Sequence, residues 1–293
     1  MRDCINCDGP LRCLINDIED YEYGVPWRSD LVICDGCGLV THDPPITYED
    51  IGELYPDTYH AYGGGSKGRG LYWKLRKALA SFTLRKVLPR IPQGGAMLEV
   101  GCGNGSFLRL VAEARPDIEL HGVDIVDTGI EGIPNFTFHQ GQLEKVELPG
   151  RQMDLVYFSN LIEHVPDPVV FLRKCGDLLR PGGCVYGNTP DHLSVDRYLF
   201  GKHWAGYHYP RHTFLFSHEN MGQILQKAGL VDPTLKGSYA FWSLSLRNML
   251  MELPGTKKRG LGHAAITLGM LPLDLLINVF RGHGAMTFSA VKP

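Results

Sequence analysis

From Glu99 to Gly105 the chain reads Glu-Val-Gly-Cys-Gly-Asn-Gly, and this turn constrains the fold more than any other stretch. Upstream of it, Ala96 to Val100 is an apolar run that reads as a buried parallel strand. Downstream, Phe107 to Ala114 reads as a helix. Strand, glycine turn and helix open a nucleotide-binding α/β unit, in which glycines let a ligand lie against the backbone. A dinucleotide fingerprint needs glycine at positions 101, 103 and 106, but position 106 is serine and the third glycine comes at 105. Glu99 also brings a negative charge to the turn. That disfavours a pyrophosphate and favours a ligand with a positive amino group and no phosphate.

The next strand supports this reading. Ile118 to Asp124 is apolar-rich and ends in an acid 23 residues after Gly101, where ribose hydroxyls are held in such folds. Asp154-Leu155-Val156-Tyr157-Phe158-Ser159-Asn160, Glu163-His164-Val165-Pro166-Asp167-Pro168 and Leu178-Leu179-Arg180-Pro181-Gly182-Gly183 follow in order. With these blocks, spanning about residues 96 to 190, the chain resembles a class I S-adenosylmethionine (SAM)-dependent methyltransferase. The resemblance implies an α/β, Rossmann-like sheet of seven strands. The third strand is expected at Asn135–His139, the fourth at Met153–Phe158 and the fifth at Cys184–Asn188. The sixth is expected at Leu230–Ser238, and the seventh at Ala285–Val291, antiparallel at the edge.

The resemblance also implies where SAM sits. Gly101, Cys102, Gly103, Asn104 and Gly105 would cradle it, with Glu99 facing the methionine amino group and Asp124 the ribose diol. Ile125, Leu143, Ser159 and Asn160 would line the remainder. Relatives often carry an acid where Gln142 stands, and its amide oxygen can accept the same hydrogen bond from the adenine amino group.

Cys4-Ile5-Asn6-Cys7 and Cys34-Asp35-Gly36-Cys37 are two CxxC knuckles with 26 residues between them. Two such knuckles offer four thiolates to one ion, a closed tetrahedral zinc site of structural type. Val32-Ile33 and Leu39-Val40 read as the strands around the second knuckle. A zinc ribbon at the front resembles a group of methyltransferases acting on sugars and natural products. The domain division is then a ribbon at 1–42, a linker, lid and helix at 43–95, and a methyltransferase domain at 96–293 with an insertion at about 241–283. In the linker, Tyr59 and Tyr62 are expected to close over the cofactor. Leu71, Leu75, Ala78 and Phe82 share one helical face turned toward the sheet. The insertion, with Phe241, Trp242 and the Lys257-Lys258-Arg259 cluster, suits packing over the acceptor pocket, dimerisation or shallow membrane contact, in that order.

Between Asp191 and His218 lie five of the chain's twelve histidines, interleaved with aromatic residues. His208 and His212 have HxxxH spacing, but Pro210 between them breaks a helix, so an aromatic wall over the donor pocket is favoured over a metal site. A hydroxyl acceptor gains roughly 10²–10⁴-fold in rate from a base. His208 and His212 are the first candidates and His164 the next. The tetrad Ser159-Asn160-Leu161-Ile162 differs from the Asn/Asp-Pro-Pro-aromatic sequence of enzymes that methylate base amino groups.

A net charge of −3 offers no broad footprint for nucleic acid. The first residues contain no apolar signal core, so the expected place is the cytoplasm, as a monomer or homodimer. The expected reaction is methyl transfer from SAM to a hydroxyl of a sugar or other small metabolite. C-methylation of a keto-sugar nucleotide and a non-catalytic adaptor are the alternatives. Oxygen is preferred to carbon because the large extra domain of the C-methyltransferases has no counterpart here.

Overall fold

The computed structural model describes residues 3–20, 23–55, 80–148, 150, 152–239, 242–251, 269 and 284–293. Tyr59, Tyr62 and all of the insertion but Trp242–Met251 and residue 269 lie outside them. Eleven strands form two sheets among the described residues. The small sheet holds β1 (Leu11–Ile15), β2 (Asp30–Cys34), β3 (Val40–Asp43) and β9 (Phe214–Leu215), all paired antiparallel. Its first three strands are the hairpins around the cysteine knuckles, with Ile33 opposite Val40. The fourth comes from far along the chain, Leu215 pairing with Val40.

The large sheet has the order β10-β11-β8-β7-β4-β5-β6. Its parallel strands are β4 (Ala96–Val100), β5 (Glu119–Asp124), β6 (Phe136–Gln140), β7 (Met153–Ser159) and β8 (Leu179–Pro190). Every residue of β4 is buried, as helices on both faces of a parallel sheet require. β11 (Ala285–Val291) runs antiparallel to both of its neighbours. It does not lie at the edge: it fills the space between β8 and β10 (Val231–Gly237), and β10 is the border strand. The exposure alternates along β10 and falls to nearly all buried positions at one face of β11, in keeping with those places.

Helix ends follow from local chemistry. Asp167 accepts from the Val169 and Val170 N–H groups at 2.9 Å each and Pro168 takes the first turn of Pro168–Leu178. Ser217 and Asn220 form a capping box that starts His218–Lys227. One expectation fails: Phe82 is 64% exposed, with Arg85 near its ring. The helical stretch 80–87 is turned so that Val87 is buried, with Leu84 and Leu88 beside it.

The ribbon shares a core with the large sheet. Cys4, Leu11, Val32 and Leu39 belong to the same apolar cluster as Val156, Phe158, Phe171 and Ile224. A second cluster joins Ile18, Leu31 and Val40 to Trp204, Tyr207 and Tyr209 of the histidine-rich stretch. No helix among the described residues is long and apolar enough to cross a membrane.

Candidate active site

The carboxyl ends of β4, β5 and β7 carry the glycine turn, an acid and an asparagine. Gly101, Gly103 and Gly105 have φ of +71°, +53° and +68°. A side chain at Gly103 would meet nothing within 4 Å, so the backbone is bare there. Asp124 ties the turn to its own strand: Oδ2 accepts from Gly103 N–H at 2.8 Å and Oδ1 from Val126 N–H at 3.2 Å. Asn104 Oδ1 accepts from Ser106 N–H at 3.2 Å. Glu99 is buried at the end of β4. Leu143 is buried, whereas Ile125 is 44% exposed at the rim. Gln142 Oε1 is buried and has no hydrogen-bond partner among the described residues.

Cys102 contributes only its backbone. Its thiol is packed inward against Gly122, and burial, then Glu99 and Asp124, pushes its pKa up. Ser159 and Asn160 are exposed at the end of β7. Asn160 takes a left-handed conformation (φ +48°), which asparagine tolerates. Its Oδ1 accepts from Asn188 Nδ2 at 2.9 Å, and Asn188 Nδ2 also reaches Tyr239 Oη at 2.8 Å.

Beyond β7 the chain delivers three imidazoles to one point. Ligand atoms of His164, His208 and His212 all lie within 4.8 Å of one another. Thr213 makes this possible: its N–H and Oγ1 bond Glu163 O at 2.6 and 3.0 Å, joining the two segments. His212 Nδ1 donates to Gly206 O at 2.7 Å and His164 Nδ1 faces Arg211 O at 3.0 Å, with Tyr55 Oη at 2.7 Å from the same nitrogen. A carbonyl only accepts, so both rings carry hydrogen on Nδ1. Burial, then the neighbouring His164 and His208, hold His212 well below the usual histidine range.

His208 is oriented differently. Arg211 Nε donates to His208 Nε2 at 3.0 Å, which leaves the hydrogen on Nδ1, 3.4 Å from His212 Nε2. Arg211 is fixed in turn by Asp20 through two bonds of 2.8 and 2.9 Å, and both side chains are 0% exposed. Asp20 lies in the loop between β1 and β2, so the ribbon holds the histidine segment. His42 of β3 does so again, with Nε2 donating to His212 O at 2.9 Å. Glu163 is wholly buried beneath the cluster, and burial pushes its carboxyl up to about 8, against the opposing Thr189 hydroxyl. Its Oε1 lies 3.9 Å from His212 Nε2.

A family model described as a methyltransferase domain matches residues 72–233, more than half of the chain. The chain belongs to that family. It is a class I, SAM-dependent methyltransferase. Over 182 residues it is 29% identical to the ubiquinone biosynthesis O-methyltransferase of Cereibacter sphaeroides, covering 54% of this chain and 70% of that one. Over 173 residues it is 29% identical to the dimethylglycine N-methyltransferase of Parasynechococcus marenigrum, covering 52% of this chain and 60% of that one. Among solved structures, phosphoethanolamine N-methyltransferase 2 of Haemonchus contortus with S-adenosylhomocysteine matches with a TM-score of 0.51 and 21% identity. That match covers 72% of this chain and 52% of the nematode enzyme, so this methyltransferase spans about half of its length.

The methyltransferase carries a second cluster in its ribbon. Cys4, Cys7, Cys34 and Cys37 bring their sulfurs within 4.8 Å of one another, with Sγ pairs at 3.6 and 3.4 Å, a set that could hold one metal ion. A Cβ on Gly36 would stand 3.1 Å from Cys7 Sγ, so that knuckle needs its glycine. Helix His218–Lys227 braces the knuckles: Lys227 Nζ donates to Ile5 O and Asn6 O at 2.9 and 3.1 Å, and Asn220 Nδ2 to Cys37 O at 3.3 Å. Cys13 is exposed and outside the cluster.

Sequence reasoning named the three histidines separately and set a metal aside among them; the fold brings them together with Glu163 below. It set Glu163 beside the methyl donor with His164 but gave it no role, and it missed Tyr239, Asn188, Asp20 and Arg211. The adjacency of Glu163 to His164 was the one available signal. Nothing in the sequence pairs Asp20 with Arg211.

Proposed function

We propose that the enzyme transfers the methyl group of SAM to a hydroxyl oxygen of a small polyhydroxylated or phenolic metabolite. The observation that carries this reading is the cluster of three imidazoles, His164 just after β7 with His208 and His212 brought beside it, at the sheet end where the cradle lies. Methyl transfer is an in-line displacement that needs alignment and a dry pocket. A hydroxyl acceptor must also lose its proton, and an imidazole of this cluster, His208, His212 or His164, draws it off. The O-methyltransferase named above supports oxygen. The Tyr55–His164 pair at 2.7 Å favours a second reading, proton removal beside a carbonyl and methylation at carbon.

In the cradle, Glu99 faces the methionine amino group, Asp124 the ribose diol and Gln142 Oε1 the adenine amino group. Gly101, Gly103, Asn104 and the backbone of Cys102 and Gly105 lie along the ligand, with Ile125, Leu143, Ser159 and Asn160 around it. The orphaned Gln142 oxygen and the bare Gly103 fit such a ligand. The four ribbon cysteines hold a structural zinc, with no ligand position left for chemistry.

Calorimetry with S-adenosylhomocysteine tests the cofactor reading. The intact protein should bind it, and Asp124→Ala should weaken binding by about tenfold or more, the scale of one lost hydrogen bond to a charged group. Binding to NAD with none to S-adenosylhomocysteine would overturn the proposal. Mass spectrometry of products from hydroxyl acceptors then distinguishes oxygen from carbon.

A further inference from the structure

We propose that Glu163 is a positioning residue for the methyl transfer: it is the buried anion that balances the charge an imidazole of the cluster gains with the acceptor's proton. The source of that proton rests on the reading above, whereas the pairing of Glu163 with His212 does not. Glu163 lies in the turn Ile162–His164, its side chain 0% exposed and its Oε1 3.9 Å from His212 Nε2. Neither of its oxygens meets a hydrogen bond of normal geometry among the described residues. A carboxylate kept dry in this way is stabilised chiefly by an opposite charge nearby.

Backbone bonds set the distance between the two side chains. Thr213, the residue after His212, bonds Glu163 O through its N–H at 2.6 Å and its Oγ1 at 3.0 Å, and the same hydroxyl bonds Val165 O at 2.7 Å. His212 Nδ1 is committed to Gly206 O at 2.7 Å, so a further proton enters that ring at Nε2. There it meets His208 Nδ1 at 3.4 Å and Glu163 Oε1 at 3.9 Å, and of the two only the carboxylate can balance its charge. Arg211 is already paired with Asp20. The other groups that face Glu163 are the hydroxyls of Thr189 on β8 and Tyr239 after β10, and His164 follows it in the chain. The three rings stand edge to face with centroids 4.6 to 5.9 Å apart, so a proton on any of them lies near the same acid.

The acceptor's O–H bond breaks, its proton goes to a ring nitrogen, and the oxygen keeps the electron pair with which it takes the methyl group. Burial and the neighbouring rings hold His212 well below the usual histidine range, and an ionised Glu163 lifts that obstacle. Burial in turn pushes the Glu163 carboxyl up to about 8, so acid and ring titrate as one pair.

Long-range proton–nitrogen NMR of the histidine rings in the full chain, followed through pH 8, reads the pair without any acceptor. The His212 nitrogens, identified by their loss in His212→Gln, should move in a step near pH 8. Glu163→Gln, close to isosteric, should abolish that step and weaken proton uptake by the ring about tenfold or more, one pKa unit. Glu163→Asp keeps the charge and should keep the step, at a shifted pH. Denaturant curves report whether each variant is folded. A wild type with no step at His212, or a step that persists in Glu163→Gln, would overturn the proposal. If the glutamine variant does not fold, an unmoved step in Glu163→Asp overturns it instead. S-adenosylhomocysteine binding and product assays on the same samples report the methyl-transfer reading separately, so either can fail alone.

Discussion

At the cofactor cradle, seven consecutive residues and one acid do the positioning. The turn from Glu99 to Gly105 is held by main-chain bonds such as Gly101 N–H to Val123 O at 2.8 Å, and by Asp124 across 21 positions of sequence. The histidine cluster is held from outside itself. His164 follows β7, His208 and His212 come some 44 to 48 residues later, and their support comes from Asp20 and His42 of the ribbon, 191 and 170 positions away from their partners. The cradle is therefore a local property of one strand–turn–helix unit. The cluster is a property of the whole fold, and damage anywhere along its supports reaches it.

The strongest way to break this contrast is to disrupt the four-cysteine cluster, which could hold a metal ion. Structural zinc contributes on the order of 10–16 kcal/mol of apparent folding energy in small domains. Cys34→Ser in the full chain should melt the ribbon, release Asp20 and His42, and abolish turnover, while S-adenosylhomocysteine still binds. Equal loss of binding and turnover, read by calorimetry and product assay, would show the two regions to be one unit.

A smaller break is Arg211→Met. It strands Asp20 in the interior, and removing one partner of a buried ion pair costs about 3–5 kcal/mol. Denaturant unfolding should show that loss, and combining it with Asp20→Leu should return much of it. The cradle's affinity should hardly change.

The gentlest probe uses acid. His192, 1% exposed beside Trp204, is held down to about 3 by burial first and Arg197 second. Its unfolded form takes a proton near the ordinary 6.5 and the native form does not. Between those values the unfolded state binds more protons, so stability falls as pH drops, by about 1.4 kcal/mol per pH unit from this group. His192→Leu should flatten that slope in a pH series of unfolding curves without altering stability at pH above 7 by the same route.

How far the sequence disclosed all this follows the same division. The glycine turn and Asp124 were legible because their chemistry depends on neighbours in sequence. The cysteines were legible because two CxxC knuckles have the spacing that offers four thiolates to one ion. The five parallel strands were visible as apolar or alternating stretches, yet the insertion of β11 between β8 and β10 was not, because pairing partners leave no mark on a strand's own pattern. Phe82 misled because a helical face read over residues 71 to 82 takes no account of where the sheet lies. The His208–His212 spacing, judged as a helix, pointed away from a cluster that a non-helical turn builds perfectly well. Glu163, read with His164 just beyond the fourth strand, was given no role because an acid beside a histidine says nothing of its burial.

The pairing of β3 with Phe214 and Leu215 also sets an order on synthesis. The ribbon leaves the ribosome ahead of the large sheet, and its own sheet stays a strand short until residue 215 has emerged. Until then β3 presents an open edge, and the buried partner of Asp20 does not exist. The amino-terminal module of this enzyme is thus finished late, by a segment translated after most of the large sheet, and the nascent chain must carry it incomplete through that interval.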